Sequence, residues 1–156
     1  MINTDKIEFS IRDLAPVIVE RVNSGGRVKF TVTGISMFPF LSDRRDQVTL
    51  GRADFINKYD VVLHRRKNGD YILHRVIGIK NGAYIIAGDN ETEKEYGVEK
   101  SQILAKAISF TRKGVEITPD KFLYKLYSIG WVLVFPLRRI ILEILIRIRR
   151  MLCGKR

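Results

Sequence analysis

The chain has 156 residues, 46% of them apolar, which is enough for one domain with a core plus an appendage but too few for a second folded domain. A single cysteine, Cys153, excludes an intrachain disulfide and gives no sign of an oxidising compartment. The net charge of +11 is uneven, with +8 on residues 121–156, where Glu143 is the one acid, and +3 on residues 1–120.

Residues 1–26 begin with a polar lead. Ile11, Leu14, Ile18 and Val22 then recur at helical spacing, Ser10 and Asp13 resemble a capping box, Pro16 is tolerable only near a first turn, and Gly25-Gly26 stops the helix. One helix in this position cannot make a helix-turn-helix unit. Arg27–Val32 alternates as a strand, with Val28, Phe30 and Val32 on one face and Lys29 and Thr31 on the other. The stretch Gly34-Ile35-Ser36-Met37-Phe38-Pro39-Phe40-Leu41 follows. Gly34 frees the backbone, and Pro39 fixes its own φ and keeps Phe38 extended. Ser36 is therefore expected at a strand end, its hydroxyl and N–H facing one space. That suits a nucleophile, although a serine between a strand and a turn is usually a turn residue bonding its own backbone.

Arg44–Asp46 reads as a charged turn and Gln47–Gly51 as a short strand. Tyr59–His64 is a strand by alternation, and Asn68-Gly69 is a two-residue hairpin signal before Tyr71–Ile79. A nucleophilic serine needs a base, and the chain's two histidines, His64 and His74, lie on the arms of this hairpin. A turn centred on Asn68-Gly69 sets His74 opposite about Leu63, near His64 but not necessarily on its face. Asn81-Gly82 folds Val76–Lys80 against Tyr84–Ala87, and Gly88-Asp89-Asn90 ends that strand in a turn. Glu91–Lys100 reads as a charged loop and Gln102–Arg112 as a strand, turned by Lys113-Gly114 into Val115–Ile117. These short strands predict a mainly β, antiparallel, coiled sheet.

Residues 121–152 change character. Leu137, Ile140, Ile141, Ile144, Leu145, Ile148, Met151 and Leu152 repeat at helical spacing, and Arg138, Arg139, Glu143, Arg147, Arg149 and Arg150 fall on the other side. The uncharged run Leu126–Leu137 holds Tyr127 and Trp131, is broken by Pro136, and is shorter than the roughly 20 residues a spanning helix needs. Arginines interleaved with aliphatics differ from base-stacking or groove-reading modules, so an anionic membrane surface is the expected partner and nucleic acid is not. A helical hairpin packed on the protein's own sheet, or in a dimer, is the alternative.

Gly34-Ile35-Ser36-Met37-Phe38-Pro39, Asp60-Val61-Val62, His74-Arg75-Val76-Ile77-Gly78 and Gly88-Asp89-Asn90 occur in that order. They resemble the ordered boxes of type I signal peptidases and the related self-cleaving SOS repressors, over about Arg27 to Phe110. The resemblance implies a coiled antiparallel β body with Ser36 as nucleophile. The base is a lysine in most bacterial members and a histidine in the endoplasmic-reticulum and archaeal type, where it opens a His-Arg-Val segment; it maps to His74. Lys80 and Lys67 do not fill that box position. The Ser36 N–H is the expected first oxyanion donor, and Gly34, Met37 and Pro39 are expected to complete the oxyanion and substrate-binding set. Gly34 stands where some members carry a second, hydroxyl donor. Asp89 is the candidate to orient His74, with a turn-forming role as the alternative.

The chain departs from the pattern in two places. Members with a histidine base carry a further aspartate after Gly-Asp-Asn, where this chain offers Glu91, Glu93, Glu95 and Glu99. Signal peptidases also begin with a membrane-spanning segment, and no such segment or signal peptide is read here.

The expected organisation is a lead and helix over 1–26, a β catalytic domain over 27–120 and a basic helical tail over 121–156. The expected function is a serine endopeptidase with a Ser/His dyad, peripheral at the cytoplasmic face of a membrane, binding its peptide or protein substrate as an extended strand and needing no cofactor or metal. The alternative is a catalytically inactive membrane- or partner-binding module of the same fold.

Overall fold

The computed structural model describes residues 11–153. Helix α1 (Ile11–Asn23) buries Ala15, Ile18 and Val22, the apolar spacing that predicts it. Pro16 lies inside the helix rather than in its first turn, and the Ser10–Asp13 box falls outside the described residues.

Eight strands follow: β1 (Val28–Thr31), β2 (Gln47–Gly51), β3 (Val61–Arg65), β4 (Tyr71–Lys80), β5 (Ala83–Ala87), β6 (Glu95–Val98), β7 (Ile103–Arg112) and β8 (Val115–Ile117). They form one open antiparallel sheet in the order β1-β2-β7-β3-β4-β5-β6, with β8 also on β7. The mainly β expectation holds, with one correction: β6 lies inside the stretch expected to be a charged loop. Its backbone pairs with β5, at Tyr84↔Val98 and Ile86↔Glu95, and no alternating apolar pattern announces it.

The sheet buries both its faces. One core gathers Ile18 and Val22 of α1 with Phe40, Leu41, Leu50, Val61, Leu63 and Phe110; the other gathers Ile56, Val62, Val76, Ile86, Val98 and Ile103. Successive residues of β3 feed the two cores in turn, as the period of two requires.

The two Asn-Gly pairs make different turns. Asn81-Gly82 is the expected two-residue connection, with Lys80 opposite Ala83 and positive φ at both turn residues. Asn68-Gly69 instead ends a three-residue loop: the Arg66 N–H donates to Asp70 O at 2.7 Å, and Gly69 takes φ +90°. The register therefore shifts by one, with His74 opposite Val62 and His64 opposite Ile72. Both histidines then lie on the face they share with Val62 and Val76. One residue of slip decides this.

Helix α2 (Phe122–Leu133) leads through a 3₁₀ turn at Phe135–Leu137 into α3 (Arg138–Cys153). No helix among the described residues is long and apolar enough to cross a membrane. Helix α2 packs against the β body, since Tyr124 joins the first core and Ser128 is fully buried. Arg138 corrects the expected basic face. It is fully buried, donates to Gly88 O at 2.9 Å, Glu91 O at 3.2 Å and Trp131 O at 3.1 Å, and lies over the Phe135 ring. Leu142, one turn on, is buried with it, while Leu137, Ile140, Ile144, Ile148 and Met151 stay exposed.

Candidate active site

The segment after β1 is irregular and pinned. The Val32 N–H donates to Asp46 O at 2.9 Å, and Leu41 N–H to Met37 O at 2.8 Å. Met37, Phe40 and Leu41 are buried and hang the loop from the core, and the Phe38–Pro39 peptide is cis. Ser36 is half-buried and faces a cavity of about 230 Å³. His74 and Glu91 line the same cavity, together with Phe30, Val32, Gly34, Met37 and Tyr71–Leu73. The sequence-predicted nucleophile and base therefore share one space.

Two strand edges border that space. Among the described residues, β1 pairs only with β2, and β4 pairs only with β3 until Arg75 meets Ala87 of β5. The backbone of Tyr71–His74 is thus unpaired on one side beside Ser36.

Of the other expected site residues, Met37 forms part of the wall. The Gly34 N–H is committed to Asp43 Oδ1 at 2.8 Å, so Gly34 lines the cavity without a free donor for an oxyanion. Pro39 stays outside the wall, its carbonyl accepting from Arg112 Nη2 at 3.4 Å. The Ser36 N–H donates to no acceptor among the described residues.

His74 is fully buried between two carboxylates. Its Nε2 lies 3.3 Å from Glu91 Oε1 and its Nδ1 3.3 Å from Glu95 Oε1. These are close charge contacts rather than aligned hydrogen bonds. Burial opposes the charged ring, but Glu91 and Glu95 outweigh it and raise the His74 pKa. His64 lies beside it, ring centroids 5.8 Å apart, and burial pushes it down to about 4, so this ring is neutral. Glu95 is held from the far side by Arg66, which donates to both carboxylate oxygens. Burial opposes ionisation of Glu95, yet His74 and Arg66 lower its pKa to about 2.

Asp89 is not beside His74. Both its oxygens accept from Arg75, at 2.8 Å each, in a fully buried pair, and Oδ2 also accepts from Tyr127 at 3.2 Å. Arg75 donates further to Tyr59 O at 3.0 Å, Tyr124 Oη at 3.0 Å and Ser128 Oγ at 2.9 Å. Trp131 Nε1 donates to Asp89 O at 3.0 Å. The expectation that Asp89 orients His74 is corrected, because side chains alternate along β4 and Arg75 points away from the His74 face. The box serves Ser36 through its backbone: Asn90 N–H donates to Ser36 O at 2.7 Å, and a Cβ on Gly88 would lie 2.6 Å from that same oxygen.

Glu91 and Glu95, rather than Asp89, are thus the carboxylates that flank His74. Their i, i+4 spacing carries no signal in a segment that is not helical. Only the pairing of β6 with β5 brings Glu95 back over the histidines.

In comparisons with known proteins, no family model and no curated protein matches this chain.

Proposed function

We propose that this chain is a serine endopeptidase with a signal-peptidase-like β body, Ser36 as nucleophile and His74 as general base. The observation that supports the reading is the shared cavity, which a half-buried serine and a buried histidine both line beside an unpaired strand edge, with no hydrogen bond yet joining them.

Neutral His74 takes the Ser36 hydroxyl proton as Oγ attacks a peptide carbonyl, then returns it to the leaving amine. The free Ser36 N–H serves as oxyanion donor. Glu95, fixed by Arg66, orients the ring and stabilises the imidazolium that forms. For this chemistry the contact between Glu91 and His74 Nε2 must open when substrate enters, which frees the Nε2 lone pair. The substrate adds as an extended strand to the edge of Tyr71–His74.

The test is cleavage of an unstructured polypeptide by the purified chain and by its Ser36→Ala variant. Loss of cleavage in a folded variant supports the reading, and undiminished cleavage ends it at this site.

We also propose peripheral attachment to an anionic membrane surface through residues 121–152. Helix α2 turns its hydroxyl and indole groups inward and leaves Phe122, Leu123, Leu126 and Leu133 exposed, beside the exposed aliphatics of α3. Such a surface suits an interfacial helix pair with basic flanks.

A further inference from the structure

We propose that His64, His74 and Glu95 form a binding site for a divalent transition-metal ion of the zinc class. One nitrogen from each ring and one carboxylate oxygen lie within 4.8 Å of one another. His74 Nδ1 is 3.3 Å and His64 Nε2 4.0 Å from the same oxygen, Glu95 Oε1. Tetrahedral zinc, with bonds of about 2.0–2.2 Å, sets its ligand atoms about 3.3–3.5 Å apart. One edge of the triangle already has that spacing, and the other two, 4.0 Å and no more than 4.8 Å, must shorten on binding.

An independent observation points the same way. All four ring nitrogens are buried without a hydrogen-bond partner, and both rings are 0% exposed. Buried polar atoms are ordinarily bonded, so the two unmet nitrogens of His64, beside a His74 whose nitrogens have only the 3.3 Å carboxylate contacts, form a donor set suited to an ion that takes lone pairs. Arg66, forked onto Glu95, supplies the outer hydrogen bonding that ligating carboxylates show, although its charge tempers affinity. His64 and Glu95 also line a second cavity, of about 390 Å³, with Lys67, Asn68 and Gln102. Ser36 does not line that cavity.

Occupancy has a consequence for catalysis, and this consequence alone rests on the peptidase reading. With Nδ1 given to a metal, His74 keeps its proton at Nε2 and has no lone pair for the serine proton. Metal binding and peptide cleavage then exclude each other.

Cobalt(II) is the probe, added alone to the full chain carrying Cys153→Ser so that no thiolate competes. Expected are one ion per chain and shifted or broadened ring signals for both histidines, the only two in the sequence. Outer-shell changes alone weaken metal sites about 10–100-fold, so His64→Gln and Glu95→Gln should each weaken binding at least tenfold, while Ser36→Ala should not. Failure of the intact chain to bind cobalt, or binding that leaves both ring signals in place, overturns the site. The ring signals decide even where a buried variant folds poorly. Because binding is read without any substrate, its failure is distinct from failure of the peptidase reading.

Discussion

In the proposed mechanism, the chemistry at Ser36 and His74 turns on which of two adjacent imidazoles carries charge, since their surroundings push the two apart. His74 faces Glu91, Glu95, His64 and, through Glu95, Arg66. The carboxylates favour the imidazolium, whereas a general base must be neutral. The value of kcat/KM, measured with a chelator present, should therefore rise with pH through a midpoint above the unperturbed value of about 6.5. Glu95→Gln removes one negative neighbour, so its midpoint should fall; an unmoved midpoint would uncouple Glu95 from the base. His74→Ala should lower kcat by about 10²–10⁴-fold. If His64→Ala proves the more damaging, the base has been assigned to the wrong ring.

At the level of elements, the turn at 88–90 joins the serine loop to helix α2, and its two attachments can be tested separately. Gly88→Ala forces a Cβ against Ser36 O and should cut turnover more than stability, read as activity against melting temperature. Asp89→Asn breaks a buried charge pair, a loss of about 3–5 kcal/mol, which for a chain of this size lowers Tm by roughly 6–20 °C. A Tm within 2 °C of the parent would contradict the role given to that pair, a margin set at about 1 kcal/mol. Much of this level was legible in the sequence: α1, the strands other than β6, and α3 follow apolar spacing, and Asn81-Gly82 makes the turn its residues demand. Asn68-Gly69 misled by one residue, because a dipeptide does not reveal that Arg66 and Asp70 close a wider loop. That residue placed His64 on the face of His74. Strand β6 was illegible because backbone pairing with β5, not side-chain pattern, makes it. Asp89 was misassigned because its partner, Arg75, sits next to His74 in sequence but on the opposite face of β4.

On the scale of the whole molecule, α2 belongs to the body, since its Tyr124, Tyr127 and Ser128 surround Arg75 and Asp89. Deleting 121–156 should therefore unfold or aggregate the protein, whereas ending the chain at 139 keeps α2 and Arg138 and should leave it folded, as circular dichroism would show. The intact chain should bind anionic vesicles less tightly as salt rises, because part of the attraction is screened over about 8 Å at physiological ionic strength, and the chain ending at 139 should bind more weakly. Salt-independent binding would remove charge from the explanation. The reading of the molecule as a peptidase stands on Ser36 forming a covalent bond to substrate. The direct measurement is mass spectrometry of protein quenched in acid during turnover of an activated peptide ester. The expected result is an acyl adduct on the peptide that contains Ser36, which disappears in Ser36→Ala. Turnover with the adduct on another residue, or full turnover by Ser36→Ala, would contradict it.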